Sequence, residues 1–188
     1  MTQLLPHERH WLVEQLGEGD AENQQAADDM AAAIASGNQW HDNAQYDEVI
    51  ERMKLIDNRY GPLLMALRDR EVAPYPTPTH ESVAIGSLIR LRDPYETFSG
   101  LIVGMATLGD DKYRAFYDAD DAETFEIIGI ESPLAKASVG HVAGDSVEWE
   151  VNGQTLSAEL VSVDNGWLIE RIGSLATDAS TQPDATGH

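Results

Sequence analysis

The chain has 188 residues, with 12 Lys and Arg against 33 Asp and Glu for a formal charge of -21, and it contains no cysteine. That length suits one mid-sized domain or two small ones, and so negative a chain repels phosphate backbones, which argues against autonomous DNA binding and for a protein partner. No disulfide or thiolate metal site can form, no apolar run approaches the ~20 residues of a membrane span, and the first eight residues lack the basic and apolar regions of a secretory leader, so the expected location is cytoplasmic and off the membrane.

Between Arg9 and Arg52 there is no Lys or Arg, but there are ten acids, from Glu14 to Glu51. Such a run makes either a solvated face or an acidic arm. Within it Ala26, Ala27, Met30, Ala33 and Ile34 repeat with helical spacing before Gly37 ends the run. From Tyr46 the apolar positions Val49 or Ile50, Met53, Ile56, Tyr60, Leu63 and Leu67 step by three and four, the period of a helix with one buried stripe. The two stretches predict an antiparallel helical hairpin, the stripes being its packing surface. Gly17-Glu18-Gly19-Asp20 in the first helix and Gly61-Pro62 in the second predict kinks or restarts, since an interior proline costs about 3 kcal/mol.

Pro74, Pro76 and Pro78 then break all periodicity and predict a stiff linker. Beyond it the pattern turns to strands: Ile85 to Leu91, Phe98 to Val103, Tyr113 to Tyr117, Phe125 to Ile130, Ser146 to Val151 and Thr155 to Val163. Asn152-Gly153 joins the last two as a tight hairpin turn. Ser132 and Pro133 suit the cap and first position of one short helix that Gly140 ends. The acidic stretch from Met105 to Thr124 reads as a solvated hairpin. From Ser174 to His188 small and polar residues predominate, which predicts disorder. The expected domains are therefore an arm over 1–73, a linker over 74–80, a sheet domain over 81–173 and a disordered tail over 174–188, an α+β protein.

No Walker loop, dinucleotide-binding glycine pattern, HExxH or GxSxG is present, so a self-sufficient enzyme is not expected. The ten-residue hairpin tip from Gly37 to Tyr46 carries a single acid, Asp42, with Trp40 and His41 before it and Asn43 after it. Two roles compete for Asp42. With Gln45 three residues on, it forms a capping box for the second helix, worth about 1 kcal/mol. Alternatively, a carboxylate at the end of a long arm can be delivered into another protein's cavity.

The segment Ser132-Pro133-Leu134-Ala135-Lys136-Ala137-Ser138-Val139-Gly140-His141, followed by Gly144-Asp145-Ser146-Val147, resembles the C-terminal signature of the Gre transcript cleavage factors. Asn43-Ala44-Gln45-Tyr46 is similar to that family's Asn-Ala-Glu-Tyr after the tip, and the resemblance spans roughly Ala26 to Val163. It implies an N-terminal antiparallel coiled coil followed by an FKBP-like antiparallel sheet domain with one short helix. It further implies docking on RNA polymerase at the secondary channel, with Ser132, Pro133, Lys136 and Gly140 in the docking signature. The tip, with Trp40, His41, Asn43 and Tyr46 around it, would bring Asp42 to the Mg2+ of the polymerase active centre as a shared ligand. The polymerase would then cleave backtracked RNA. On this reading the chain needs no cofactor of its own, is an accessory factor rather than the enzyme, and meets the nascent RNA 3' end only within the polymerase complex.

The tip departs from the family in one respect that matters. Asn38 or Gln39 stands where the family has its first acid, so one metal ligand is missing. A polymerase inhibitor or regulator without cleavage stimulation is therefore the alternative, and a peptidyl-prolyl isomerase is a third reading that rests on the fold alone.

Overall fold

The computed structural model of the chain describes residues 3–35, 44–105, 117 and 125–180, with side chains up to residue 173. It divides into two compact units, His7–Arg70 on one side and Met1–Pro6 with Glu71–His188 on the other.

The first unit is two long helices, α1 (Pro6–Ala35) and α2 (Ala44–Asp69). Pro6 stands at the first helical position, where its missing N–H costs nothing. Arg52 pairs with Asp29 and Arg59 with Glu22, so residue numbers fall on α1 as they rise on α2 and the helices are antiparallel. Ala26, Val49, Ile56 and Tyr60 form their buried seam, with Leu16, Met30, Met53 and Leu63 packed against it. On α2 the expected stripe holds, and of the pair Val49 and Ile50 it is Val49 that is buried. On α1 the seam differs from the expectation: Ala27 is exposed and Ile34 is 62% exposed. Buried and half-buried positions instead step back by three and four through Met30, Ala26, Asn23, Gly19 and Leu16 to Leu12. The upstream half was obscured because glycine and asparagine occupy seam positions there.

Neither expected restart occurs. α1 is continuous through Gly17 and Gly19, and α2 through Gly61 and Pro62. Gly19 is buried because the ring of Tyr60 lies over it: a Cβ there would come within 2.7 Å of the ring. The glycine is a close-approach site rather than a break. Helices of 30 and 26 residues are roughly 45 and 39 Å long at the usual rise.

The second unit begins with the first residues of the chain. Strand β1 (Gln3–Leu4) pairs in parallel with β2 (Glu71–Val72), and the Ala73 N–H donates to the Leu4 carbonyl at 2.8 Å. Leu4 and Leu5 are fully buried. The boundary thus falls at Arg70 and Glu71, and the first six residues leave the arm, because a backbone pairing across some 70 positions leaves no local periodicity. The proline-rich segment also belongs to this unit: Pro76 is buried and approaches Gly86, whose φ of +95° reverses the chain.

The sheet comprises β3 (Leu88–Arg92), β4 (Thr97–Val103), β5 (Glu126–Gly129), β6 (Ser146–Val151) and β7 (Gln154–Asp164), in the order β5-β4-β3-β7-β6. Its pairs are antiparallel except β4 with β5, which is parallel. Asn152 and Gly153 take positive φ at the β6–β7 turn, as a two-residue hairpin of this type requires. Helix α3 (Pro133–Ser138) covers one face, where Ala135 joins Val83, Ile89, Leu91, Ile102, Ile128, Val147, Ala158 and Leu160 in the core.

Two expectations in this unit change. Tyr117, placed on a strand by its neighbours' pattern, is helical and fully buried, while the rest of Tyr113 to Tyr117, and the acidic stretch around it apart from Met105, lie outside the described residues. The expected tail opens inside a helix: α4 (Trp167–Ser180) continues past Ser174. Residues 181–188 lie outside the described residues.

Candidate functional site

The eight residues that join Ala35 to Ala44 hold Trp40, His41, Asp42 and Asn43, and all of them lie outside the described residues. Tyr46 lies in the first turn of α2 and is half-buried. What the structure does describe is the arm behind the tip. Four of its cations are bound to its own acids: Arg52 to Asp29, Arg59 to Glu22 at 3.4 Å, Lys54 to Glu51 at 2.8 Å and Arg68 to Asp69 at 2.6 Å. The Tyr60 hydroxyl donates to the same Glu22 at 2.8 Å, tying α1 to α2 beside the Gly19 contact. Hydrogen bonds from Arg52 and then Gln25 hold the Asp29 carboxyl below its ordinary value. Burial pushes His7 at the arm's base down to about 4.

The signature segment is fully described, and it forms the corner between α3 and β6. Ser132, with φ and ψ of -66° and 152°, accepts the Ala135 N–H on its hydroxyl at 3.2 Å, and Pro133 follows as the first helical residue. Gly140 has φ +88°, and its N–H donates to the Val83 carbonyl at 2.9 Å. The Val83 N–H returns a bond to His141 at 2.8 Å. Asp145 closes the corner by accepting from the Val142 N–H at 3.0 Å and contacting His141 Nδ1 at 3.1 Å, and these partners, Val142 first, lower its carboxyl.

The four signature residues therefore divide. Ser132 and Gly140 have work within the fold, as a helix cap and a left-handed turn. Pro133 and Lys136 are exposed, and Lys136 reaches Glu131 at 2.8 Å. Val139 and Val142, 43% and 39% exposed, extend that surface with apolar area. A further polar cluster had no motif to announce it. Asn165, 2% exposed, donates to the carbonyls of His80 at 2.6 Å and Ser82 at 3.2 Å and accepts from the Ser87 hydroxyl. Every one of its partners is within the fold, so it braces the second unit.

Among the described residues no group of three or more His, Asp or Glu is placed to hold a metal, and no described helix is long and apolar enough to cross a membrane. The chain pairs two long antiparallel helices with a mostly antiparallel sheet unit whose corner carries this signature, and in sequence it is similar to transcription elongation factors of the GreA type. The chain is 26% identical over 134 residues to the transcription elongation factor GreA of Paracoccus denitrificans (strain Pd 1222), covering 65% of this chain and 70% of that one. It is 29% identical over 124 residues to GreA of Aliarcobacter butzleri (strain RM4018), covering 65% and 69%. No family model matches. Among solved structures, GreA factor homolog 1 of Thermus thermophilus overlays at a TM-score of 0.35 with 20% identity, over 86% of this chain and 97% of that one. A GreA/GreB factor from Nitrosomonas europaea overlays at 0.30 with 25% identity, over 58% and 78%. Overlays at these scores carry no weight, and the similarity to GreA rests on the sequence matches.

Proposed function

We propose that this protein acts in transcription elongation by binding RNA polymerase at its secondary channel and presenting Asp42 to the active centre, so that the polymerase cleaves backtracked RNA. The observation that carries the reading is the unbroken arm. Because α1 and α2 run through Gly19 and Pro62, each spans roughly 40 Å, and the connection that holds Asp42 lies between their ends. The exposed Pro133 and Lys136 on the α3 corner supply the docking surface. The chain lends a ligand, and the polymerase remains the enzyme. Mg2+, a hard cation suited to carboxylate oxygen, would supply the acidified water and stabilise the leaving oxygen. Asp42 would help hold that ion.

The test is a transcript-cleavage assay on stalled elongation complexes, comparing the unaltered chain with Asp42→Asn. Asparagine caps a helix about as well as aspartate does, so the fold and polymerase binding should survive while cleavage is lost. A second reading follows from the tip itself, which carries Asn38 and Gln39 where a second acid is expected. If the unaltered chain binds polymerase, releases no cleavage product at any Mg2+ concentration and slows RNA synthesis, the protein is an inhibitor and Asp42 is only a cap.

A further inference from the structure

A cleft of about 450 Å³ opens on one side of the paired helices. Leu16, Ile56 and Tyr60 give it an apolar lining, and Leu64, 57% exposed, stands on its wall. The cleft is open because two of its positions lack side chains: Gly19 lets the Tyr60 ring lie low, and nothing comes within 4 Å of where a Gly61 Cβ would be. Asp20 and Asp57 also line it, one from each helix, and both are exposed.

Those two carboxylates face the cleft without a cation of their own among the described residues. Glu22, Asp29, Glu51 and Asp69 each hold one of the arm's own cations. Asp20 and Asp57 have no ion pair or side-chain hydrogen bond among the described residues. An apolar cleft edged by two unpaired carboxylates is complementary to a segment that brings its own cation. A second copy of this chain would bring further acids at a net charge of -21, and a nucleic acid would bring phosphates, so both are repelled.

We infer that this cleft is a second docking site on the arm, filled by a polymerase surface segment that carries an Arg or Lys next to a leucine-sized apolar side chain. The inference rests on the polymerase-binding reading above. It differs from the docking corner at α3 in lying on the arm, where it would hold the helices during elongation rather than recruit the protein.

The experiment titrates purified core RNA polymerase with the full chain and with the Asp20→Lys, Asp57→Lys double variant. Both positions are exposed, so the variant should melt with the unaltered chain while binding about tenfold or more weakly and with less salt dependence, because like charges then meet across the interface. In parallel, a photo-crosslinking residue in place of Leu64 should capture a polymerase peptide that contains Arg or Lys. Equal affinity of a folded double variant overturns the inference and leaves polymerase binding intact. If that variant does not fold, the crosslink decides, and its failure on bound polymerase equally overturns the inference. If the unaltered chain does not bind polymerase at all, the functional reading and the inference fall together.

Discussion

Gly17 and Gly19 are two residues apart on α1, and their surroundings are opposite. Gly17 is exposed with nothing within 4 Å of where a Cβ would stand, whereas a Cβ on Gly19 would lie 2.7 to 2.9 Å from the Tyr60 ring. Alanine at Gly17 should therefore stabilise the arm by up to about 1 kcal/mol, the difference in helix propensity. Alanine at Gly19 gains the same propensity but overpacks a seam held by the Tyr60 bond to Glu22, at a cost of about 1–3 kcal/mol. Thermal melts should move up for Gly17→Ala and down for Gly19→Ala, and a Tyr60→Leu background should remove most of the second effect. Equal gains from both alanines would mean that the ring does not constrain Gly19. The same contrast explains why the pair suggested a break: propensity registers both glycines alike, and only the partner helix tells them apart.

At the scale of elements, α4 departs most from the expected order. Its start is well determined: Asp164 accepts the N–H groups of Gly166 at 2.8 Å and Trp167 at 3.0 Å, Phe125 meets the Trp167 ring edge-on at 4.9 Å, and Leu168 is fully buried. Once nucleated this way, a helix extends cheaply through Ser174, Ala176 and Ala179, which have no apolar stripe of their own. Truncation after Gly173 removes half of the 14-residue helix. The remainder is short enough to fray, so the melting temperature should fall by a few degrees, about 1 kcal/mol. A truncated chain that melts with the full one would show that residues 174–180 contribute nothing to stability. The corner at α3 behaves oppositely. Ser132, Pro133 and Gly140 announce cap, first turn and stop, and the structure uses each in that place.

For the whole molecule, stability should depend on pH through His7. Burial holds its folded value at about 4, against 6.5 for an exposed histidine. The unfolded chain therefore binds more protons between those values, and folding weakens as pH falls from about 6.5 toward 4, by roughly 3 kcal/mol at most. Above 6.5 the contribution is fully present. Denaturant titrations at pH 7 and pH 4.5 should show a smaller loss for His7→Gln than for the unaltered chain. An identical loss would place the acid sensitivity in the carboxylates instead. With 33 acids on the chain, those carboxylates repel one another most at high pH, so the His7 difference is the informative quantity.

The sequence by itself determined what local pattern can encode. The heptad-like stripe from Tyr46 to Leu67, the Asn152-Gly153 turn, the capped helix at Ser132 and the order of arm before sheet all follow from spacings of a few residues, because helix and turn geometry is set within one or two turns of chain. The cap, first turn and stop of the α3 corner were legible for the same reason, whereas Asp42 lies outside the described residues. The tertiary structure alone decided what depends on distant partners. Gln3–Leu4 pairs with Glu71–Val72, Gly19 accepts Tyr60 from the other helix, β4 and β5 run parallel, and Asp20 and Asp57 remain unpaired beside an apolar cleft. Each of these is a relation between residues tens of positions apart, and no periodicity carries it, because the free energy that selects it is realised only when the packed chain brings the two partners together.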